Sequence, residues 1–328
     1  MKYKAFVNFL AAVAGIALIG PSATAQTSAL DGKTLKIVVP FAPGGAQDVI
    51  GRYIGTTLAA RTGMTVVVDN KPGAGGVIAA DAVAKAAPDG TTALMASGGA
   101  ISIAPHLIAK LSYDPLRDFV AVAMVADTPM TLAVRAQSPY ASMADLLRDA
   151  KARPGQVSFA STGNGTVSHL TGELLAQSAG VKLLHVPYRG AAPAMTDLVG
   201  GQVATIVTSS ASIDPMVESG KARVLATFTK SRLDAMHGAP TMTEATGIAG
   251  LEVPVWSGLL LPAKTPAAIV ERLSSELVAI CKLPETQARF KGLGATAACG
   301  NSKELEKVIN DDYQRWGKVI RQGNIKGE

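Results

Sequence analysis

Four glycine-rich loops are the segments of this sequence whose residue types and spacing most clearly suggest chemistry. Glycine lets backbone N–H groups turn toward one point, and a helix start adds unpaired donors and the positive end of the helix dipole. Such loops predict binding sites for an anion, for example a carboxylate. Each follows a predicted strand, and at least three lead into a predicted helix. They are Pro43-Gly44-Gly45, Pro72-Gly73-Ala74-Gly75-Gly76, Ser97-Gly98-Gly99 and Thr162-Gly163-Asn164-Gly165.

Side chains near these loops are further candidate contacts for an acidic ligand. Asp48 follows the first loop, where it either satisfies backbone donors at a helix start or contacts the ligand. Phe41, Tyr188 and Trp256 lie at predicted strand ends, where each either walls a pocket or packs in the core. Arg189 is the strongest candidate for an ionic contact, with an ordinary surface position as the alternative. The candidate hydroxyl donors are Ser97, Thr162, Thr166, Ser168, Ser209 and Ser210.

The sequence contains no motif typical of catalysis, and we expect no cofactor and no metal. It lacks a G-x-S-x-G elbow, a phosphate loop and an H-E-x-x-H helix. Residues 163–168 imitate a dinucleotide fingerprint, but Ser168 stands where the third glycine belongs. The four histidines are 16 residues or more apart, so only the fold itself could assemble a metal site. Cys281 and Cys299 either form one disulfide or stay unpaired.

The loops must be positioned by strands and helices that alternate along the chain. Short β-branched runs at 35–39, 65–68 and 91–95 alternate with helical patterns, which predicts a mostly parallel sheet covered by helices. A second α/β set begins near residue 128, and the last third adds a strand and two helices. The further predicted strands are 130–134, 157–160, 203–208, 223–228 and 258–261, and the further predicted helices are 143–152, 168–179, 267–281 and 303–321.

Length and charge narrow the class of protein. A chain of 328 residues, 48% of them apolar, is too long for one comfortable core, so two lobes are expected. We place lobe 1 at residues 26–127 plus 247–328 and lobe 2 at residues 128–246. The excess of 31 Lys and Arg over 25 Asp and Glu is small and forms no basic cluster. We therefore expect no nucleic-acid partner.

Residues 1–25 have the pattern of a secretory signal peptide. Lys2 and Lys4 precede an apolar stretch over residues 9–20, and Ala23-Thr24-Ala25 offers small residues for signal peptidase. The apolar stretch is too short to span a membrane. We therefore expect cleavage after Ala25 and export of the mature chain.

Ordered motifs recur along nearly the whole mature chain and point to one family. They include Ile37-Val38-Val39-Pro40-Phe41-Ala42-Pro43-Gly44-Gly45 with Asp48 and Arg52, Val68-Asp69-Asn70-Lys71-Pro72-Gly73-Ala74-Gly75-Gly76, His185-Val186-Pro187-Tyr188-Arg189-Gly190, and Pro262-Ala263-Lys264-Thr265-Pro266. In these motifs the chain resembles the extracytoplasmic solute receptors of tripartite tricarboxylate transporters, the Bug or TctC family.

The resemblance implies a type II periplasmic-binding-protein fold, an α/β fold with a ligand cleft between two lobes. It implies a periplasmic receptor that captures a small carboxylate and delivers it to membrane permease subunits, and we expect a monomer. The contact residues that it carries over are Phe41, Ala42, Gly44, Gly45, Asp48, Ala74, Gly75, Ser97, Thr162, Gly163, Thr166 and Ser168.

One segment departs from the family pattern. Many members carry a His-Ala-Ile-Asn-Pro-like stretch where this chain has Ile101-Ser102-Ile103-Ala104-Pro105. Loss of the polar residues favours an aromatic or longer aliphatic acid as the ligand. Two other functions stay open at this point: a secreted enzyme acting on an organic acid, and a receptor that signals when it is occupied.

Overall fold

The computed structural model describes residues 32–44, 46–233, 236 and 238–326. The predicted signal peptide (residues 1–25) and Gly45 lie outside the described residues. The strands are β1 (Thr34–Val39), β2 (Thr65–Asn70), β3 (Thr92–Ala96), β4 (Phe119–Asp127), β5 (Met130–Arg135), β6 (Ser158–Ser161), β7 (Leu184–Pro187), β8 (Thr205–Ser209), β9 (Ala222–Thr227), β10 (Trp256–Pro262) and β11 (Thr296–Gly300).

Helices cover both sheets and connect most of the strands. They are α1 (Ala46–Thr62), α2 (Val77–Ala84), α3 (Ala104–Leu107), α4 (Met143–Ala152), α5 (Val167–Ala179), α6 (Ala191–Val199), α7 (Ser210–Glu218), α8 (Met242–Thr246), α9 (Ala267–Cys281), α10 (Pro284–Lys291) and α11 (Ser302–Gly323). In the described part of the chain, no helix combines the length and the apolar character that crossing a bilayer requires.

The strands form two separate sheets, and each sheet is the centre of one lobe. The first lobe has six strands in the order β11-β4-β10-β3-β1-β2, and the second has five in the order β7-β6-β8-β5-β9. The predicted parallel pairing is confirmed for β1, β2 and β3. β10, for which the sequence predicted no direction, runs antiparallel to both β3 and β4. The reason is that the chain enters β10 from the other lobe, beside the end of β4.

Direct crossings join the two lobes. β4 ends at Asp127 and β5 begins at Met130, so only two residues separate the sheets. The returning chain runs alongside this crossing, because the Thr128 N–H donates to the Val255 carbonyl (3.0 Å) and the Val255 N–H donates to Asp127 Oδ1 (3.0 Å). Mutual hydrogen bonding makes the two crossing segments one short hinge.

Helix α11 belongs to both lobes. Asn301 and Glu304 form a capping box at its start, which satisfies the first backbone donors. Leu305 and Ile309 pack in the apolar core of the first lobe, whereas Trp316 and Ile320 pack in that of the second. The C-terminal half of α11 therefore packs on lobe 2, although its residues fall in the segment predicted for lobe 1.

Candidate functional site

Glycine loops from the two lobes lie against each other where the lobes meet. An ideal Cβ placed on Gly75 would lie 3.7 Å from the Gly165 carbonyl oxygen and 3.9 Å from that of Asn164. A Cβ on Gly99 would lie 2.7 Å from the Gly75 carbonyl oxygen, a distance that real side chains do not tolerate. Three of the four predicted loops thus converge on one point because their residues lack side chains.

A charged network anchors the first-lobe loop of residues 40–44. Asp48 accepts hydrogen bonds from the Gly44 N–H (2.9 Å), from Arg52 Nε (3.1 Å) and from Asn70 Nδ2 (2.9 Å). Asn70 also donates to the Phe41 carbonyl (2.9 Å). Burial raises the pKa of Asp48, but the hydrogen bonds from Arg52, Gly44 and Asn70 outweigh it and leave that pKa below its usual value. Both carboxylate oxygens therefore have partners within the protein, and the backbone donor is Gly44, which precedes α1. A ligand contact of Asp48 stays a prediction.

The second-lobe loop of residues 161–166 satisfies its own backbone donors. The Thr162 N–H donates to Ser168 Oγ (3.1 Å), and the Gly163 N–H donates to Ser161 Oγ (3.2 Å). Thr166 Oγ1 donates to the Gly163 carbonyl (2.7 Å) and caps α5. Ligand contacts through Gly163, Thr166 or Ser168 stay a prediction, but each of these groups already has a partner in the protein.

Two histidines that the sequence places 16 residues apart lie together beneath this loop. The rings of His169 and His185 stack with centroids 3.9 Å apart. His169 Nδ1 accepts from the Gly165 N–H (3.3 Å), and His185 Nε2 lies 2.6 Å from Ser161 Oγ. Sequence reasoning missed this pair, because only the fold brings β7 beside α5. The spacing of four residues between Gly165 and His169 at a helix start was the one available signal.

Two candidate side chains retain free hydrogen-bonding capacity near the loops. Neither Ser97 Oγ nor the exposed Arg189 guanidinium has a polar partner among the residues that the structure describes. Arg189 follows Tyr188, whose carbonyl oxygen lies 3.2 Å from an ideal Cβ on Gly163. Arg189 is therefore a cation beside the second-lobe loop.

The remaining candidates occupy different settings. Tyr188 is half-buried, and its hydroxyl donates to Asp197 (2.7 Å). Ser209 Oγ lies 2.9 Å from Ser212 Oγ, and the neighbouring Ser210 Oγ donates across the lobes to the Gly294 carbonyl. Ala42, Gly44 and Ala74 are exposed, Phe41, Gly75 and Thr162 are partly buried, and Ser97 is buried at the end of β3. Each of these stays a predicted contact.

The structure places Trp256 in the first-lobe core. It is only 1% exposed, and its indole N–H donates to Asp312 Oδ2 (3.0 Å). Burial raises the pKa of Asp312 to about 6. A Cβ on Gly98 would lie 2.8 Å from the same Oδ2, so this buried carboxylate lies directly against the Ser97-Gly98-Gly99 loop. The core interpretation of Trp256 therefore replaces the pocket-wall interpretation.

The segment that departs from the family pattern is also buried. Ile101 packs in the first-lobe core and Ile103 in the second-lobe core. Ile101 and Ala104, which stand where the family pattern has His and Asn, are both buried. The preference for an aromatic or longer acid stays a prediction.

Neither cysteine forms a disulfide in the structure. Cys281 is buried and donates to the Val125 carbonyl (3.3 Å), and Cys299 is partly exposed. Burial raises the pKa of the Cys281 thiol to about 12. Among the described residues, no three His, Cys, Asp or Glu side chains are grouped closely enough to hold a metal ion.

Two α/β lobes joined by a short hinge, with loops facing each other across a cleft, define a periplasmic-binding-protein architecture. Residues 50–325 match the family described as the tripartite tricarboxylate transporter family receptor. The match covers most of the chain, so the protein belongs to this family of solute-binding receptors.

Individual relatives agree with the family match. The chain is 39% identical over 311 residues to the UPF0065 protein in the tcbD-tcbE intergenic region of Pseudomonas sp. (strain P51), covering 94% of this chain and 92% of the relative. R. palustris Rpa4515, solved with adipate, is 32% identical with a TM-score of 0.84, covering 90% and 99%. MatC from Rhodopseudomonas palustris, solved with bound malate, is 31% identical with a TM-score of 0.80, covering 88% and 99%.

Proposed function

We propose that this protein captures a small dicarboxylate in the cleft between its lobes and delivers it to the permease subunits of a tripartite transporter. Membership of the receptor family supports the delivery role, and similar receptors solved with adipate and with malate support the ligand class. Export through the predicted signal peptide fits this role, because structural relatives are periplasmic binding proteins.

The observation that carries the ligand proposal is the exposed Arg189, which follows Tyr188, the residue whose carbonyl lies against Gly163 of the second-lobe loop. A guanidinium binds a carboxylate through two parallel hydrogen bonds, and a cation without a partner loses no ion pair when it does so. The first N–H groups of α1, on the opposite lobe, have no partner within the helix and form a second anion site. A molecule with a carboxylate at each end engages both lobes only when they close, which explains capture.

A thermal-shift and calorimetry screen of adipate, malate, citrate and benzoate tests the proposal. A dicarboxylate present at about one hundred times its dissociation constant stabilises the folded state by about 2.7 kcal/mol. The same acids measured with Arg189→Gln should bind at least about tenfold more weakly, a loss of about 1.4 kcal/mol. Absence of binding by every acid in the screen would contradict the ligand class.

A matched variant separates the local contact from a general change of charge. Arg148, on α4 of the same lobe, is 74% exposed and, among the residues that the structure describes, pairs with Asp145 alone. Arg148→Gln removes the same charge from the lobe and should leave the affinity for the acids unchanged. If both variants lose the same affinity for the acids, Arg189 acts only through the net charge of the lobe and not through a direct contact.

A secreted enzyme is the alternative, and one contact invites that interpretation. Ser161 Oγ lies 2.6 Å from His185 Nε2, the arrangement of a nucleophile and its base. However, Ser161 is 0% exposed, and its hydroxyl already accepts from the Gly163 N–H. We therefore propose a structural role for this pair and no enzymatic activity. Mass spectrometry should recover a bound acid unchanged, whereas turnover abolished by Ser161→Ala would favour the enzyme.

A further inference from the structure

His169 and His185 form a stacked pair beneath the second-lobe loop, and the proposed function assigns them no role. The planes of His169 and His185 are inclined by only 7° at a centroid distance of 3.9 Å. Phe159 stacks on His185 as well, at 4.9 Å. Aromatic stacking of this kind fixes the ring planes, and the hydrogen bonds to Gly165 and Ser161 select which edge of each ring faces the loop.

Each ring holds one glycine N–H of the loop. His169 Nδ1 accepts directly from the Gly165 N–H at 3.3 Å, so the ring proton of His169 is on Nε2. His185 Nε2 contacts Ser161 Oγ at 2.6 Å, and that oxygen accepts from the Gly163 N–H at 3.2 Å. The orientation of both peptide groups thus depends on the two rings.

The bond between the Gly165 N–H and His169 requires a neutral His169 ring. A protonated Nδ1 cannot accept a hydrogen bond, so charging His169 would break its bond to Gly165. Burial lowers the pKa of His169 to about 4 and that of His185 to about 3, with the neighbouring ring as a second cause for His185. The charged group that faces them is Glu173 of α5, whose Oε1 lies 3.9 Å from His169 Nε2 and whose pKa burial raises.

The turn presents its carbonyl groups to the other lobe. The Gly163 and Gly165 N–H groups point back to the histidine pair, while the carbonyl oxygens of Asn164 and Gly165 are the atoms nearest to Gly75. A peptide flip at either glycine would break its N–H bond and move the turn relative to the first-lobe loop that it faces, and glycine permits such a flip.

We propose that His169 and His185 are positioning residues of the ligand site, which as neutral stacked rings fix the peptide orientation of the turn at residues 163–165. This inference rests on the proposed function, because it assigns the rings to the same cleft. Neither ring touches the ligand; both act through the loop.

Paired substitutions at His169 test the proposal with adipate and malate as probes. His169→Asn supplies an amide oxygen near the position of Nδ1, whereas His169→Leu supplies no acceptor. We expect His169→Leu to bind the acids at least about tenfold more weakly and His169→Asn to recover most of the affinity. The measurements are made by calorimetry at a temperature where circular dichroism shows both variants folded.

A control and a second readout separate positioning from general stability. His106, whose Nε2 contacts the Tyr313 carbonyl (2.9 Å), is a partly buried histidine outside the loops. His106→Leu should lower the melting temperature without changing the affinity. Hydrogen exchange at the Gly165 amide should be fast in His169→Leu and slow in both His169→Asn and the original protein.

The outcomes distinguish this inference from the proposed function. If the original protein binds a probe and both His169 variants bind equally well, or lose affinity equally, the positioning role is wrong. If the original protein binds neither probe, the ligand class is wrong, and exchange at the Gly165 amide alone decides the positioning role. Fast exchange in His169→Leu with protection in His169→Asn supports the role, and equal exchange rates overturn it.

Discussion

The loop at residues 40–44 and the loop at residues 161–166 face the same cleft but are anchored by different chemistry. Asp48, Arg52 and Asn70 hold the first through charge, and the Arg52 side chain is 51% exposed. Neutral, buried groups hold the second, with His169 and Ser161 at its centre. Because the Arg52 partner is half exposed, salt screens this ion pair, whereas a buried neutral network costs much to break. We therefore expect the second-lobe loop to be the more rigid half of the site.

Removal of the central hydroxyl of the neutral network should have the largest effect. Ser161→Ala leaves the Gly163 N–H and His185 Nε2 without their partner in a buried setting. We expect the free energy of unfolding to fall by about 3 kcal/mol, because each unpaired buried group costs about 1–3 kcal/mol. Urea denaturation measures the loss. Ser219→Ala, at an exposed helix end, is the control; equal losses for both would contradict the comparison.

Acid should weaken the neutral network, and the pKa values give the sign. The folded pKa of His169 is about 4, below the ordinary 6.5, so the unfolded chain takes up a proton first as pH falls. The free energy of unfolding then drops by about 1.4 kcal/mol per pH unit for this residue below pH about 6.5. Asp312 and Glu173 have raised pKa values and act in the opposite direction.

The test is therefore the difference between two stability curves. His169→Asn cannot titrate, so the gap between the original protein and this variant should change by about 1.4 kcal/mol between pH 6 and pH 5. Urea denaturation at several pH values measures it. Parallel curves would show that His169 is protonated equally in the folded and unfolded states.

Disruption of the charged network should have a smaller effect that depends on salt. Asp48→Asn keeps one acceptor for the Gly44 N–H but loses the ion pair with Arg52, for an expected loss of about 1 kcal/mol. The loss should shrink in about 1 M salt, where the Debye length is about 3 Å. Asp145→Asn is the matched control, since Asp145 pairs with Arg148 at another helix start. If the loss of unfolding free energy is the same at low and high salt, the first-lobe loop is not held through charge and the two loops do not differ in this way.

The smallest effect is expected beside the loop at Ser97–Gly99, where the buried carboxylate of Asp312 lies against Gly98. The pKa of Asp312, raised to about 6, means that its ionised form costs stability above that pH. Asp312→Asn retains an acceptor for the Trp256 N–H, and we expect a gain of about 1 kcal/mol at pH 7 that declines toward pH 5. Thermal unfolding at both pH values measures it. A variant less stable at pH 7 would show that the charge itself is needed.

Elements with strong local signals could be predicted from the sequence. The observed bounds of α4 and α9 match the prediction, because their apolar faces are regular and Ser142 and Pro266 mark their starts. Sequence reasoning missed α6 and α7, whose Pro193 and Pro215 interrupt the helical pattern. It also missed β7, a short and half-exposed strand.

For the candidate site, the sequence predicted where the loops lie but not which of their atoms are free. Four glycine loops follow from strand ends and composition. The bond from the Gly163 N–H to Ser161 is a local serine turn. The contact of Ser161 with His185 depends on β7 beside the loop, which no local pattern encodes. Burial of Trp256 likewise depends on Asp312, which is 56 residues away in the chain.

Helix α11 has a mechanical consequence. Its 22 residues are embedded at one end in each core, so it cannot stay straight and fully packed while the lobes change their separation. Closure of the lobes would therefore bend α11 near its centre or loosen the packing of one of its ends. We expect amide hydrogen exchange at its centre, near Asp312, to be the part of the helix that responds most to ligand. An exchange pattern unchanged by ligand would show that closure leaves the helix unstrained.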